Sequence, residues 1–263
     1  MRTYQIINSE GCPEDRYELT ANEVYNKLLN EEQICNEQGQ IRFYLGNVDI
    51  IVKQKDVVGN IIQEWLQGWL TSRHIDFDPS TNPQMPPDFY LNKNNHDVEL
   101  LEVKAYNSEA SPAFDIADFK GFAKAVLLSP SALDTNFLIF AYKMSDDGYV
   151  SITKMWLKKL WEITRASERW PINVQFKNGE INKIRPAAAS TWDKPPIKQK
   201  GNKYPHFANL SDFLSAFQET LLLYGETHSI GSTWKTDLNN AFVAHNLPTV
   251  NFPWWDTIKH NYV

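Results

Sequence analysis

Apolar residues recur along this chain in two periods, one helical and one extended. Over 57–70 (VVGNIIQEWLQGWL) they fall into two adjacent i,i+4 rows. One row is Val57, Ile61, Trp65 and Trp69; the other is Val58, Ile62, Leu66 and Leu70. That pattern predicts an amphipathic helix, with Asp56 placed to cap it. Further helices are predicted over 20–30 behind Thr20, from about 114 to 128, from 155 to about 165, over 212–224 behind Asn209 or Ser211, and near 234–245. Extended segments are predicted over 40–49, 88–91, 98–105 and 149–152. The near-continuous apolar run 136–144 (NFLIFAYKM) suits a central strand covered on both faces. The polar turn 92–97 joins 88–91 to 98–105 as a hairpin, and Asn178-Gly179 marks a second hairpin within 172–184. This order predicts an α/β fold: a central mixed β-sheet flanked by helices, with additional C-terminal helices.

Two stretches fall outside these periods. Residues 76–87 form a loop rich in Pro and Asp, in which Asp76 and Asp78 suit turn capping. Residues 186–206 carry four prolines and little apolar content, and read as a long, irregular, basic loop. Glu99 reads as an exposed strand residue of opposite parity to Glu102. The C-terminal end, 252–255, is aromatic.

Composition narrows the class. At 263 residues, 42% of them hydrophobic, the chain can bury a substantial core, and it is expected to form a single domain over 1–263. No apolar run approaches a membrane span, and no apolar segment follows the first residues as in a signal peptide. Cys12 and Cys35 show no metal-ligand spacing, so a reduced, intracellular protein is expected, with a cytoplasmic location. The formal net charge of −6 argues against a nucleic-acid partner only on average. Binding needs a local patch, and residues 183–206 supply one. Lys183, Arg185, Lys194, Lys198, Lys200, Lys203 and His206 are interleaved with Trp192 and Tyr204, against the single acid Asp193. Such a patch suits phosphate neutralisation, although many charged loops are only solvated surface. Lys154, Lys158 and Lys159 read as an exposed face, and the nine tryptophans as core and interface aromatics.

The chemistry concentrates on the first hairpin. Glu102 and Lys104 lie two apart on one arm and so project from one face. The turn at 92–97 brings Asp88 back toward that face. Charge on a strand otherwise built from Leu100, Leu101, Val103 and Ala105 is expensive to bury without a partner. Two carboxylates suit a hard divalent cation, and the ammonium suits a nucleophilic water beside it. The plainer alternative is an exposed i,i+2 ion pair.

Pro87-Asp88, thirteen residues, then Glu102-Val103-Lys104 resembles the motif of the PD-(D/E)XK nuclease superfamily. The flanking elements agree over roughly 57–144: a helix carrying Glu64 before the hairpin, then a helix and a core strand after it. The resemblance implies a restriction-endonuclease-like core over about 57–144, with a DNA-recognition and helical region over about 145–263. It assigns catalysis to Asp88, Glu102 and Lys104, and metal binding to Asp88, Glu102, the carbonyl of Val103 and Glu64. It implies Mg²⁺ as cofactor, with Mn²⁺ substituting and Ca²⁺ binding without supporting cleavage. The polar stretch after the lysine, including Tyr106, Asn107, Ser108 and Ser111, is similar to the loop that lies against DNA in blunt cutters of the EcoRV and HincII kind. Tyr204-Pro205-His206-Phe207 followed by the helix near 213–224 is similar to the NgoBV and NlaIV group of restriction enzymes.

The resemblance therefore implies a type II restriction endonuclease. Such an enzyme hydrolyses double-stranded DNA to 5′-phosphate and 3′-hydroxyl ends. It acts as a homodimer, in a bacterial cell that also encodes a cognate DNA methyltransferase. Two readings compete with it: a repair or structure-specific nuclease of the same superfamily, and a DNA-binding protein without catalysis.

Overall fold

The computed structural model describes residues 2–7, 13–82 and 85–263; Met1, residues 8–12 with Cys12 among them, and Pro83 and Gln84 of the stretch 76–87 lie outside the described residues. The strands run in the order β1 (Arg2–Ile7), β2 (Pro13–Glu18), β3 (Gln38–Gln40), β4 (Arg42–Leu45), β5 (Val48–Ile51), β6 (Asp78–Pro79), β7 (Phe89–Tyr90), β8 (Leu100–Asn107), β9 (Ala117–Asp118), β10 (Asn136–Met144), β11 (Tyr149–Lys159), β12 (Val174–Lys177) and β13 (Glu180–Ile184). The helices are α1 (Ala21–Asn26), α2 (Val58–Ser72), α3 (Phe119–Leu128), α4 (Leu160–Ile163), α5 (Ala189–Trp192), α6 (Leu210–Leu223), α7 (His228–Ala244) and α8 (Trp255–Ile258). Contacts divide the chain into two compact units.

The first unit comprises Met1–Thr81, Pro87–Ser111 and Asn136–Lys158. It holds a six-stranded mixed sheet in the order β3-β11-β10-β8-β7-β6. β10 pairs with β8 in parallel, and β7 pairs with β8 antiparallel. One row of α2, Val58, Ile62, Leu66 and Leu70, is buried with Leu101, Val103, Leu138 and Phe140 of the sheet. Each such side chain contributes about 2 kcal/mol by leaving water. The other predicted row splits: Trp69 is buried, whereas Ile61 and Trp65 are exposed. Thr20 caps α1 in a capping box with Glu23, as its position predicts. Asp56 does not cap α2. The N-cap is Val57, without a side-chain bond, because Asp56 is taken up in a preceding 3-10 turn, Lys55–Val57.

β10 is the interior strand that its apolar run predicts, buried from Phe137 to Tyr142. β11 is longer than expected. The segment predicted as a tryptophan-rich helix from 155 is instead the continuation of this strand, and only Leu160–Ile163 is helical. The open edge of β10 needs backbone partners, and that demand outweighs the local helical spacing. The expected extended segment 40–49 also proves to contain a turn. Gly46 takes φ +59 at the first of two turn positions, as a type II′ hairpin requires, and β4 folds back on β5.

The second unit comprises Asn82–Pro86, Pro112–Thr135 and Lys159–Val263. α3 starts at Phe119 rather than near 114, because Asp118 caps it through Gly121 N–H at 2.7 Å. The predicted Asn-Gly hairpin joins β12 to β13, and β9 pairs on its other side. Asn209 caps α6, and α7 begins six residues earlier than the pattern suggests. Phe119, Phe122, Phe213, Phe217 and Trp234 form an aromatic core, with the Trp234 indole donating to the carbonyl of Ala123. Among the described residues no helix is long and apolar enough to cross a membrane.

Candidate active site

The site grows out of the register between β7 and β8. Phe89 pairs with Leu101 and Tyr90 with Leu100, so Asp88 lies one step beyond the last pair, level with Glu102. The turn is closed by Asn92, whose side-chain oxygen accepts from Asn94 and Asn95 N–H at 3.0 Å each. Leu101 and Val103 point into the core under α2. Strand alternation then puts Glu102 and Lys104 together on the opposite face.

There Lys104 Nζ lies 2.6 Å from Glu102 Oε1. Glu102 is only 5% exposed, and its second oxygen, Oε2, is buried without a hydrogen-bond partner. Asp88 is held from two sides: Val103 N–H donates to Oδ2 at 2.8 Å, and Gln63 Nε2 donates to Oδ1 at 2.8 Å. Burial pushes both acids up. For Asp88 it outweighs the Val103 bond and the nearby Lys104 charge. For Glu102 burial is again the largest cause, opposed by Lys104 and reinforced by the neighbouring Asp88, and the carboxyl is pushed up to about 7. Paired acids with raised values around one half-buried lysine are a recurrent feature of functional sites.

The residue of α2 that reaches this group is Gln63. Glu64 is exposed. The geometry of the helix explains the difference. Each residue turns the helix by about 100°, so one step from buried Ile62 puts Gln63 on the flank of the core row, and two steps put Glu64 on the far side. The signal was therefore present in the spacing of the row, although a glutamine carries no obvious metal chemistry to draw attention to it.

The donor set fits a divalent cation. Two carboxylates converge, and one carries a buried oxygen that nothing in the protein satisfies. Such an oxygen is costly to leave unpaired, and a hard cation with oxygen ligands would complete it. Among the described residues no group of three or more His, Cys, Asp or Glu side chains could hold a metal, so the protein itself offers two carboxylates here.

A family model described as "NgoBV restriction endonuclease" matches residues 18–262. The chain belongs to the NgoBV restriction endonuclease family. It is 50% identical over 244 residues to the type II restriction enzyme NlaIV of Neisseria lactamica, covering 93% of this chain and 98% of that one. It is 58% identical over 159 residues to the type II restriction enzyme NgoBV of Neisseria gonorrhoeae, covering 60% and 90%. A solved structure of the NlaIV restriction endonuclease superposes with a TM-score of 0.86 at 50% identity, over 94% of this chain and 98% of that one. The chain is thus a type II restriction endonuclease, a site-specific deoxyribonuclease with the α/β fold that its element order predicts. Restriction endonucleases act on double-stranded DNA and generally use a divalent metal.

The residues expected to meet DNA in this NgoBV-family chain lie in varied surroundings. Tyr106 is buried and stacks near Trp156, with ring centroids 6.3 Å apart. Asn107 uses its side chain to cap the following turn through Glu109 N–H. Ser108 keeps a buried hydroxyl, and Ser111 is exposed. Lys183 lies 3.9 Å from Asp118, and Arg185 is bound by Asp115 and the carbonyl of Ala113. Lys194, Lys198, Lys200 and Lys203 are all exposed; Lys203 sits over the Tyr204 ring and Lys198 meets the carbonyl of Val263. The basic segment is also less irregular than expected. Trp192 in α5, Asn202 and His206 are buried. Asn202 donates to the carbonyls of Pro195 and Ile197, which holds the tip of the loop in shape while the lysines stay outside.

Two other expectations change. Glu99 is not an ordinary strand residue: it takes φ +53 in the turn, and its carboxylate accepts from Ala21 N–H at 2.8 Å, beside the start of α1. Lys154, Lys158 and Lys159 belong to β11 rather than to a helix, with Lys154 over the Trp156 ring.

Proposed function

We propose that Asp88, Glu102 and Lys104 are the catalytic core of this restriction endonuclease, and that its metal is Mg²⁺. The observation that carries the reading is the buried, unsatisfied oxygen of Glu102 beside Asp88 and Lys104. When bound, Mg²⁺ lowers the pKa of a coordinated water and offsets the charge that builds on the phosphate. Asp88 and Glu102 would hold it, with the Val103 carbonyl as a further oxygen. Gln63 and Val103 N–H keep the Asp88 carboxylate in one orientation. Lys104 supplies a fixed positive charge beside the attacking water and withdraws charge from the scissile phosphate. Water attacks phosphorus, the bond to the 3′ oxygen breaks, and the products carry a 5′-phosphate and a 3′-hydroxyl. Lys194, Lys198, Lys200 and Lys203 would neutralise backbone phosphates. Each chain has one such site and a duplex has two strands, so the working form is a homodimer.

The test is digestion of a plasmid of known sequence with Mg²⁺, followed by mapping of the ends. Discrete fragments with 5′-phosphates are expected from the wild type. Asp88→Ala and Glu102→Ala should give none, while still retaining the duplex in Ca²⁺. Full cleavage by both variants would overturn the assignment.

A further inference from the structure

Among the described residues, the hairpin of β4 and β5 pairs with no other strand. Its register sets Phe43 opposite Ile50, Tyr44 opposite Asp49 and Leu45 opposite Val48. Opposed residues share a face, and successive pairs alternate between faces. One face therefore holds Phe43, Ile50, Leu45 and Val48 and nothing polar. These side chains are 53%, 50%, 70% and 63% exposed. The other face carries Tyr44, Ile51 and the Arg42–Asp49 ion pair. Ile51 turns inward, close to Gly148 at the β10–β11 turn, and anchors the hairpin with its apolar face outward.

We infer that this apolar face is where two copies of the chain meet. The inference rests on the reading of the protein as a two-strand cutter with one active site per chain. Charge excludes the duplex as the occupant: the face has no cation, and the one arginine of the hairpin is spent on Asp49 on the other side. A second copy suits it, because an apolar ladder is complementary to itself and a two-fold axis brings the same patch from each side. Area agrees. An aromatic side chain can bury roughly 150–250 Å² and an aliphatic one somewhat less, so four at this exposure offer on the order of 400 Å² per copy. That is about half of the roughly 800 Å² per partner in a standard interface, and it is the apolar share expected of one. The rest falls to the rim of the hairpin, whose outer edges are open to pairing.

Sedimentation equilibrium of the full chain without DNA tests this, comparing wild type with Phe43→Asp/Leu45→Asp and with Tyr44→Ala on the opposite face. Wild type and Y44A should be dimers at micromolar concentration, and the double variant should dissociate about 100-fold more readily or worse. Circular dichroism and a thermal melt confirm that it remains folded. A separate variant, Val48→Cys, should cross-link two chains on mild oxidation, so the inference does not depend on the aspartates alone. A monomeric wild type or a double variant that stays dimeric would each overturn the inference. Failure of the catalytic reading looks different: wild-type protein that dimerises yet leaves plasmid uncut in Mg²⁺.

Discussion

The hairpin of β7 and β8 takes a carboxylate out of water, while the hairpin of β4 and β5 holds four apolar side chains in it. Both are antiparallel pairs with a turn between them, and both alternate along the strand. What differs is the company each keeps. β8 lies inside a six-stranded sheet, between β7 and β10, and packs under α2. Among the described residues, β4 and β5 pair only with each other. Alternation in the interior strand places Glu102 where water cannot reach it, so the charge calls for Lys104 and a cation. The same alternation on an isolated hairpin leaves a face with no core behind it, so the apolar side chains call for another molecule. Each departure from apolar-inside, polar-outside marks a partner, and the chemistry of the departure says which kind.

The largest effect that would sharpen this comparison is on catalysis. Lys104→Ala should lower single-turnover cleavage by about 10³-fold, since a fixed donor to the developing charge is lost. A loss below tenfold would mean that the Glu102–Lys104 pair is structural.

Next comes stability against pH. Burial raises the Glu102 carboxyl from 4.5 to about 7, so the fold favours its protonated form. This contribution is fully present below the unfolded value and is lost as pH rises through about 7, in total on the order of 3 kcal/mol. Urea titrations of metal-free protein from about pH 5 to 8 should show the decline, and Glu102→Gln should remove it. Equal slopes for the two proteins would show that the carboxylate is already compensated without metal.

Gln63→Ala should weaken Ca²⁺ binding by roughly 10–100-fold, measured by calorimetry, because Asp88 loses one of the two groups that orient it. Its melting temperature should move little. The smallest effect belongs to Glu64→Ala, which should change cation affinity and cleavage by less than about twofold, as expected of an exposed helix position. A larger effect there than at Gln63 would reverse the roles of these neighbours.

Much of this protein is legible in one dimension where the signal is local. The buried row of α2, the interior strand β10, the Thr20 capping box and the Asn-Gly hairpin all follow from spacing or from turn chemistry within a few residues. The pairing of Glu102 with Lys104 follows too, because two residues apart on a strand is a statement about one face. Other features depend on contacts remote in sequence. Met155 and Trp156 are helical by pattern, yet they extend a strand because the edge of β10 is open beside them. Glu99 leaves its strand to bind Ala21, 78 residues away.

By itself, then, the sequence determined the period of each segment and the residue types that cluster on its faces, since both are set by backbone geometry within a turn or a strand. Only the tertiary structure decided which faces meet water. It put Gln63 rather than Glu64 against Asp88, left one oxygen of Glu102 buried and unsatisfied, and held the face of Phe43 and Leu45 in solvent. The physical reason is the same in each case: the worth of a charge or an apolar side chain depends on what lies against it, and that is supplied by distant parts of the chain.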